Sequence, residues 1–325
     1  MKAALISTGS WVPGDPIPNS ALTQFPAERL PLIQQKTGIA FRHYAGPGET
    51  TSDLALKAAQ RCLAKAGFPA GQLDAILLTT STPDRLIPAT ATSVQAALGA
   101  SQAFAFDLNS VCSGSLFALH VADCMLRAGV YQNILVVSAD IYSRFLDPQD
   151  FATYPYFGDG ASAALLSTVP DDAPVGFAAA YLRSDGRGAE LIQIPAGGAR
   201  LPHARMKNPR DAFFKMDGRA VYEFAVTKGT EAVQMTLARA GLQPADLDWL
   251  IPHQANQFIC EEIARRCGVG VEKLVTNLAR RGNTASASLL LALDEMRDQA
   301  DPAGRTICLV AFGGGLSYGA MVLRT

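Results

Sequence analysis

Residues 106–115, FDLNSVCSGS, join the end of a predicted strand to the start of a predicted helix. Apolar residues predict a short buried strand over 103–106, and apolar residues at helical spacing predict a helix over 113–128. Cys112 therefore stands at a strand-to-helix turn. Unpaired backbone N–H groups and the positive end of a helix dipole favour a thiolate there, so we expect a lowered pKa and a reactive sulfur. The alternative is a buried structural thiol.

The composition is that of a compact globular protein. Of 325 residues, 49% are hydrophobic and 18% are charged, and the formal net charge is −1. This charge gives no overall attraction to nucleic acid or to an anionic membrane. No apolar run reaches the roughly 18 residues of a membrane span, and a strand pattern begins directly after Met1, so we expect a cytoplasmic protein. The six cysteines form no CxxC pair and give no indication of a metal site.

Strand-like and helix-like segments alternate along the first half, which predicts an α/β architecture with buried sheets. The predicted strands are residues 3–9, 75–80, 103–108, 134–138 and 161–166. The predicted helices are residues 52–66, 89–98 and 113–128.

The second half repeats this scheme at a nearly constant shift. AGFPAGQLDAI at 66–76 has a counterpart in AGLQPADLDWL at 240–250, and ILVV at 134–137 has one in ICLV at 307–310. These shifts (66 to 240 and 134 to 307) predict a duplicated domain, with halves at 1–172 and 173–325. A similar shift (112 to 283) makes Asn283 the counterpart of Cys112. We therefore expect both residues to open helices that meet where the halves join.

His253 follows the apolar run 249–252 and precedes a predicted helix, at the kind of strand end where α/β proteins form sites. The alternative is a structural histidine. Cysteine, histidine and asparagine together suit thioester chemistry, in which the thiolate accepts an acyl group and two neutral donors stabilise an enolate formed by decarboxylation. Each donor contributes about 10²–10³ in rate. Cys112, His253 and Asn283 are thus the candidate catalytic residues, and the chemistry needs no metal and no organic cofactor.

Glycines 313–315 follow a predicted strand at 307–311. Glycine lets the backbone pass close to a bound acyl group and present an N–H to its carbonyl oxygen. The run is not GxGxxG, and a strand pattern follows it, so a phosphate loop is disfavoured. Residues 157–161, FGDGA, predict a tight turn because Asp-Gly is a common turn pair.

Taken together, these motifs resemble the β-ketoacyl-acyl-carrier-protein synthase III condensing enzymes of the thiolase superfamily. Cys112 with its small neighbours, PHQAN at 252–256, GNT at 282–284 and FGGG at 312–315 stand in the expected order. The resemblance implies a homodimer of thiolase-like, five-layered α/β/α/β/α subunits with a tunnel for a pantetheine arm. It also implies an acyl-CoA or acyl-carrier-protein (acyl-ACP) donor and malonyl-ACP as acceptor, with release of CoA and CO2.

The resemblance implies roles for individual residues as well. Cys112 would be the acylated nucleophile, His253 and Asn283 the donors for condensation, and the N–H groups of Cys112 and Gly314 the oxyanion hole. Asn256 would support the loop around His253. The residues expected to face the substrate or its carrier are Leu32, Lys36, Ile87, Tyr142, Phe151, Phe157, Arg219, Asn256, Phe258 and Phe312.

Several of these positions depart from the usual family pattern. Leu32 and Phe151 stand where an adenine clamp usually has tryptophan and arginine, while Lys36 keeps a positive charge. Phe258 replaces a basic residue that favours the acidic carrier protein, and Arg219 stands where asparagine is common. These changes fit either an altered donor site or neutral drift at exposed positions.

Two further departures concern the acyl pocket. Ile87 stands where a phenylalanine of the partner subunit often closes the end, and Tyr142 stands where leucine is frequent. The first change enlarges the pocket and the second narrows it, so the acyl-chain length is left open.

Three functions remain as alternatives at this point. The first is decarboxylative condensation, and the second is transfer of the acyl group to an alcohol, an amine or a β-keto carbon, with His253 as general base. The third is a non-catalytic partner subunit. Retention of Asn283 favours condensation, and retention of Cys112 disfavours the non-catalytic subunit. A thiolase is disfavoured because no cysteine stands in the glycine-rich C-terminal turn.

Overall fold

Two mixed sheets carry the fold in the computed structural model, which describes residues 1–325. The strands are β1 (Lys2–Trp11), β2 (Ile17–Pro18), β3 (Phe41–Arg42), β4 (Ala75–Thr79), β5 (Phe104–Leu108), β6 (Asn133–Asp140), β7 (Gly160–Val169), β8 (Gly176–Ser184), β9 (Ile192–Gln193), β10 (Lys215–Met216), β11 (Trp249–Pro252), β12 (Thr306–Gly313) and β13 (Ser317–Arg324). The α-helices are α1 (Leu30–Thr37), α2 (Thr51–Ala66), α3 (Thr90–Leu98), α4 (Gly114–Arg127), α5 (Gly218–Ala240), α6 (Gln257–Cys267), α7 (Leu278–Arg281) and α8 (Ser288–Gln299).

The two large sheets have the same strand order. The first runs β1-β7-β6-β4-β5, and the second runs β8-β13-β12-β11. In each sheet the strands toward one edge are parallel (β4 with β5 and β6; β11 with β12) and the remaining neighbours are antiparallel. The place that β5 holds in the first sheet is reduced in the second to a single bridge between Leu250 and Leu274.

The repeated sequence motif forms the same helix end in both halves. Gly67 and Gly241 end α2 and α5 in the left-handed conformation, at φ of 59° and 67°. The next residue donates its N–H five positions back in each case, Phe68 to Leu63 and Leu242 to Leu237. Glycine adopts this conformation without a Cβ penalty, which explains why AG recurs at both places.

The apolar residues divide into three main clusters. The first lies between the two sheets and contains residues of α4 and α8, such as Leu116, Leu119, Leu289 and Leu293. The second packs α2 and α3 on the outer face of the first sheet, and the third packs α5 and α6 on the second sheet. The layers are therefore α/β/α/β/α, and the predicted fold class is confirmed. The predicted boundary at 172/173 falls between β7 and β8 and stays a prediction.

One predicted strand differs from the expectation in its exposure. The stretch at 103–106 is predicted to be buried, but β5 is the edge of the first sheet, and Phe104 and Phe106 are 39% and 37% exposed. An apolar run by itself does not show whether a strand lies inside a sheet or at its edge.

No helix of the structure is both long enough and apolar enough to cross a membrane.

Candidate active site

Cys112 lies in a single 3-10 turn, Val111–Ser113, that leads into α4. The turn begins at Val111 with a positive φ of 47°, and the Asn109 side chain accepts the Val111 N–H at 3.1 Å. A Cβ at Gly114 would overlap Thr79 Oγ1, so glycine allows the turn to sit directly on the end of β4. Cys112 is 7% exposed. The predicted strand-to-helix position of this cysteine is thus observed.

The thiol does not have the lowered pKa expected from a helix start. Burial raises the pKa of Cys112 to about 12, with a further contribution from the nearby Asp140 carboxylate, and these outweigh the lowering by the Cys112 amide. The expectation was wrong because desolvation disfavours the charged sulfur more strongly than one helix end favours it. A raised pKa favours the thiol form of Cys112 at neutral pH.

A cavity of about 40 Å³ brings the three candidate catalytic residues together. Cys112, His253 and Asn283 all line it. The remaining lining is mostly apolar and consists of Phe157, Ile192, Phe214, Met216, Val221, Phe224, Ala255, Phe312 and Gly313. Two of the predicted substrate-facing residues, Phe157 and Phe312, thus lie at the site. An apolar, enclosed lining strengthens any hydrogen bond made to a developing charge.

His253 is held as a neutral hydrogen-bond donor. It follows β11, is 2% exposed, and has its pKa lowered to about 3 by burial. Its Nδ1 lies 2.6 Å from Ser288 Oγ, and that hydroxyl already accepts the Gln254 N–H at 3.3 Å. Donation of the Ser288 proton to Nδ1 would place the ring proton of His253 on Nε2. Sequence reasoning missed Ser288, whose spacing to His253 carries no local signal.

A hydrogen bond also fixes the orientation of the Asn283 side-chain amide. Its Oδ1 accepts the Ala285 N–H at 2.9 Å, which leaves the Nδ2 amide as the free donor. Its backbone forms a bridge with Phe157: the Asn283 N–H donates to Tyr156, and the Gly158 N–H donates to Asn283. His253 and Asn283 thus both line the cavity, and their role as two neutral donors stays a prediction.

The backbone bridge between Phe157 and Asn283 shows that the tight turn predicted at 157–161 is wrong. This segment is extended into β7, and Asp159 is fully buried, accepting the N–H groups of Ala45 and Ser143 at 2.8 and 2.9 Å. Asp-Gly favours a turn where its carboxylate bonds locally. Here the Asp159 carboxylate accepts hydrogen bonds from two distant segments instead. These tertiary contacts fix the extended conformation of the backbone.

The predicted counterpart of Cys112 in the second half is also wrong. Ala285 has a φ of 48°, matching Val111, and begins a 3-10 turn that leads into α8 at Ser288. The turns and the helices are both displaced by 174 residues (111 to 285 and 114 to 288). Ser286 is therefore the counterpart of Cys112. The same displacement makes Asn283 the counterpart of Asn109. The prediction was wrong because no matching sequence around Asn283 supported the shift of 171 residues.

Asp140 is a buried acid beside the site that sequence reasoning did not single out. It ends β6, is fully buried, and accepts hydrogen bonds from Ser286 N and Oγ at 3.1 and 2.5 Å and from Thr82 Oγ1 at 3.0 Å. Burial raises the pKa of this carboxyl, and its donors lower it. Its position at a strand carboxyl end was the one available signal.

The glycine run approaches Cys112 as expected, through Gly313. A Cβ at Gly313 would lie 2.9 Å from the Cys112 N, whereas one at Gly314 would meet Val111 and Ile192. The absence of a side chain keeps the Cys112 amide accessible. The role of Cys112 and Gly314 as an oxyanion hole stays a prediction.

Two predicted substrate residues lie just outside the cavity. Tyr142 is 2% exposed and stacks on Phe157, with ring centroids 4.9 Å apart. Asn256 caps α6 through the Phe258 N–H and donates its side-chain amide to the Lys36 carbonyl at 2.9 Å. Asn256 thus ties the loop after His253 to the end of α1.

The other predicted substrate residues are not part of the cavity. Leu32 and Phe151 lie in a separate small apolar cluster, where the Arg29 guanidinium covers one face of the Phe151 ring at 4.1 Å. The exposed positions are Lys36, Ile87, Arg219 and Phe258. The structure leaves open the roles of all six residues.

Two family profiles match this chain. Residues 106–186 match 3-oxoacyl-[acyl-carrier-protein (ACP)] synthase III, and residues 237–325 match the C-terminal part of the same family. The two matches include Cys112, His253, Asn283 and the glycine run.

Full-length relatives give the same result. A β-ketoacyl-[acyl-carrier-protein] synthase III of Rhodobacter capsulatus is 40% identical, covering 100% of this chain and 99% of the relative. One from Chlamydia caviae is 39% identical, covering 99% and 97%.

Solved structures agree with the sequences. The 3-oxoacyl-(acyl carrier protein) synthase III of Pseudomonas aeruginosa superposes with a TM-score of 0.91 at 36% identity, covering 100% of this chain and 98% of that one. The priming β-ketosynthase of the R1128 polyketide pathway superposes with a TM-score of 0.90 at 30% identity, covering 99% and 96%. With its cysteine, histidine and asparagine in one apolar cavity of a thiolase-like fold, this chain belongs to the β-ketoacyl-acyl-carrier-protein synthase III family.

Proposed function

We propose that the protein is an acyltransferase that takes an acyl group from acyl-CoA onto Cys112 and condenses it with malonyl-ACP. The observation that carries this proposal is the meeting of one thiol and two oriented N–H donors in a single apolar cavity. The names of the relatives also support the proposal, because they describe synthases of 3-oxoacyl carrier-protein thioesters.

In the first half-reaction the Cys112 sulfur attacks the carbonyl carbon of the acyl-CoA. The bond from that carbon to the CoA sulfur breaks, and CoA leaves as a thiol that carries the proton of Cys112. The tetrahedral intermediate carries a negative oxygen, which the Cys112 amide stabilises by donating a hydrogen bond. The lack of a side chain at Gly313 beside this amide supports that role.

In the second half-reaction malonyl-ACP loses CO2, and the electron pair of the broken carbon–carbon bond forms an enolate. His253 Nε2–H and Asn283 Nδ2–H stabilise the enolate oxygen. The enolate carbon then attacks the acyl group on Cys112, the carbon–sulfur bond breaks, and the thiolate takes up a proton. A neutral His253 suits this step because an imidazolium would have to be desolvated in the buried cavity.

Transfer to an alcohol or an amine is the less favoured alternative, because such a reaction forms no enolate and uses only one of the two donors. The oriented Asn283 amide therefore favours condensation.

Separate measurements of the two half-reactions test the proposal. We expect Cys112→Ala to gain no mass from acyl-CoA, and Asn283→Ala to acylate normally while its CO2 release from malonyl-ACP falls about 10²–10³-fold. Cys124→Ala is the matched control, because Cys124 is an exposed thiol on the α4 helix that follows Cys112. Acylation of Cys112→Ala at the rate of the unchanged protein would refute the assignment.

We also propose that the subunits form a homodimer. The edge strand β5 exposes Phe104 and Phe106, whose rings stack 6.3 Å apart, and Tyr131 packs beside them. An exposed apolar edge strand offers unpaired backbone groups and apolar surface to a second strand. We expect a dimer by light scattering and a monomer or aggregate for Phe106→Lys. A wild-type monomer at micromolar concentration would contradict the homodimer.

A further inference from the structure

We propose that His43 is a positioning residue for condensation: its imidazole holds the Arg281 guanidinium, and this contact fixes the loop that carries Asn283. The inference rests on the proposed function, because it concerns the side-chain amide that stabilises the enolate there.

His43 is bonded to both backbone segments that meet at Asn283. Its carbonyl accepts the Asp159 N–H at 2.8 Å, and its ring Nε2 lies 3.1 Å from Arg281 Nη1. Between these two anchor points, the backbone bridge described above joins residues 156–158 to Asn283. His43 therefore ties together the two segments whose bridge holds Asn283.

The contacts of the His43 ring define which nitrogen carries the proton. Nδ1 lies 3.1 Å from the Pro13 carbonyl oxygen and 3.3 Å from that of Gly14, and a carbonyl only accepts. Nε2 faces a guanidinium, which only donates. The proton is therefore on Nδ1, and Nε2 accepts from Arg281. The ring is 3% exposed, and burial is the main cause that lowers the pKa of His43, so the neutral form is favoured at neutral pH.

The Arg281 side chain is held on two sides. Its Nη1 donates to His43, and its Nε donates to Glu295 Oε1 at 2.7 Å. The next residue, Gly282, has a φ of 66°, which glycine adopts without a Cβ penalty. Because glycine also leaves the backbone free to move, Asn283 needs an anchor just before this residue. The clamped Arg281 side chain supplies it.

Close packing transmits the position of Arg281 to the site. A Cβ at Gly282 would lie 3.2 Å from Arg42 Cβ and 3.2 Å from the Tyr156 carbonyl oxygen. A Cβ at Gly158 would overlap the Arg281 carbonyl. The segments therefore pack backbone against backbone, and a displacement of residue 281 reaches the bridge at position 283.

Condensation depends on this position, whereas acylation does not. The Asn283 amide acts on the enolate, and a misplacement of about 1 Å costs about 10²-fold in rate. Cys112 lies in the turn before α4, to which neither His43 nor Arg281 donates or accepts a hydrogen bond. We therefore expect changes at His43 to separate the two half-reactions.

The two ring nitrogens are tested separately by two amides. His43→Gln places an amide oxygen near the position of Nε2 and keeps an acceptor for Arg281. His43→Asn places its amide near Nδ1 and leaves Arg281 without that acceptor. We expect CO2 release from malonyl-ACP to fall about 10–10²-fold in His43→Asn and less than about threefold in His43→Gln. The loss should be in kcat with KM for malonyl-ACP unchanged, because the enolate forms only during the reaction.

Acylation is the internal control for folding. Each variant receives a mixture of acetyl-CoA, butyryl-CoA and octanoyl-CoA, and the mass of the intact protein is read over time. The acylation rate of both variants should stay within about twofold of the unchanged protein, because the contacts around Cys112 are retained.

Changes at Arg281 test the contact from its other side. Arg281→Met should lower CO2 release as much as His43→Asn does, and the double variant should lose no more than either single one, because both changes break one contact. Arg280→Met is the matched control. Arg280 donates to the same Glu295 at 2.8 Å but not to His43, so both half-reactions should be unchanged.

The outcomes distinguish this inference from the proposed function. If His43→Asn keeps full CO2 release, or if His43→Gln loses as much as His43→Asn, the inference is wrong while the proposed function stands. Equal losses of acylation and CO2 release in His43→Asn would also overturn it, since they would indicate a general structural role. If the unchanged protein releases no CO2 from malonyl-ACP, the proposed function fails and this inference fails with it.

Discussion

The starts of α4 and α8 have the same backbone conformation but carry different side chains. Val111 and Ala285 have φ values of 47° and 48°, each begins a 3-10 turn, and an asparagine two residues earlier accepts the N–H of each. The residue that follows is Cys112 in the first half and Ser286 in the second. The backbone of this turn is thus common to both halves, and the chemical difference lies in the side chains.

The residue that lies across from each turn differs between the two halves. β6 ends at Asp140 and β12 ends at Gly313, and these strand ends face the opposite halves. Asp140 accepts the amide and the hydroxyl of Ser286, so that turn is fully bonded within the protein. Gly313 has no side chain to place against the Cys112 amide. One turn therefore joins the two halves, and the amide of the other turn has no side chain at position 313 placed against it.

An aspartate at position 313, which would imitate Asp140 on the Cys112 side, should have the largest effect on acylation. We expect Gly313→Asp to abolish acylation, by more than about 10³-fold, because its carboxylate would occupy the space at the Cys112 amide and repel a negative oxygen. Gly313→Ala should lower the rate about 10²-fold, since its Cβ would lie 2.9 Å from that nitrogen. Gly71→Ala, with open space around its Cβ, is the control. Full activity of Gly313→Asp would show that this amide plays no part.

The pH dependence of stability tests the neutral state of His253. An unfolded histidine has a pKa of about 6.5, whereas burial lowers the folded pKa to about 3. Between these values the unfolded chain binds a proton that the folded chain does not, so stability is lost as the pH falls. We expect up to about 1.4 kcal/mol of lost unfolding free energy per pH unit below 6.5, measured by urea titration.

His253→Asn should remove this contribution, and His203→Asn, at an exposed surface position, should leave it in place. The same acid dependence in His253→Asn and in the unchanged protein would mean that His253 becomes protonated in the folded state.

The smallest effect is expected at Ser286. Ser286→Ala removes one of several donors to Asp140, and we expect about 1–2 kcal/mol of lost unfolding free energy with an unchanged acylation rate. Urea denaturation and intact-protein mass measure the two quantities. Ser286→Cys in a Cys112→Ala background should also remain unacylated, because Asp140 blocks that turn. Acyl transfer to the thiol introduced there would show that the turn alone makes a nucleophile.

Much of the site could be predicted because its motifs are local. Cys112, His253, Asn283 and the glycine run stand at strand ends and helix starts, and these features follow from apolar periodicity and small residues over short stretches. Ser288 and Asp140 escaped prediction because their partners, His253 and Ser286, are far away in the chain. The extended path of 157–161 escaped for the same reason, since distant N–H groups fix Asp159.

The sequence by itself determined the α/β alternation, the repeated AG helix ends and the strand-to-helix position of Cys112, because each depends on neighbours a few residues apart. Only the tertiary structure decided which residues pair across the two halves, how deeply the titratable groups are buried and the size of the cavity at Cys112. The raised pKa of Cys112, the lowered pKa of His253 and the aromatic cluster around Tyr142 all result from burial among residues that are distant in the chain. Burial is a property of the packed molecule, so local patterns do not carry it.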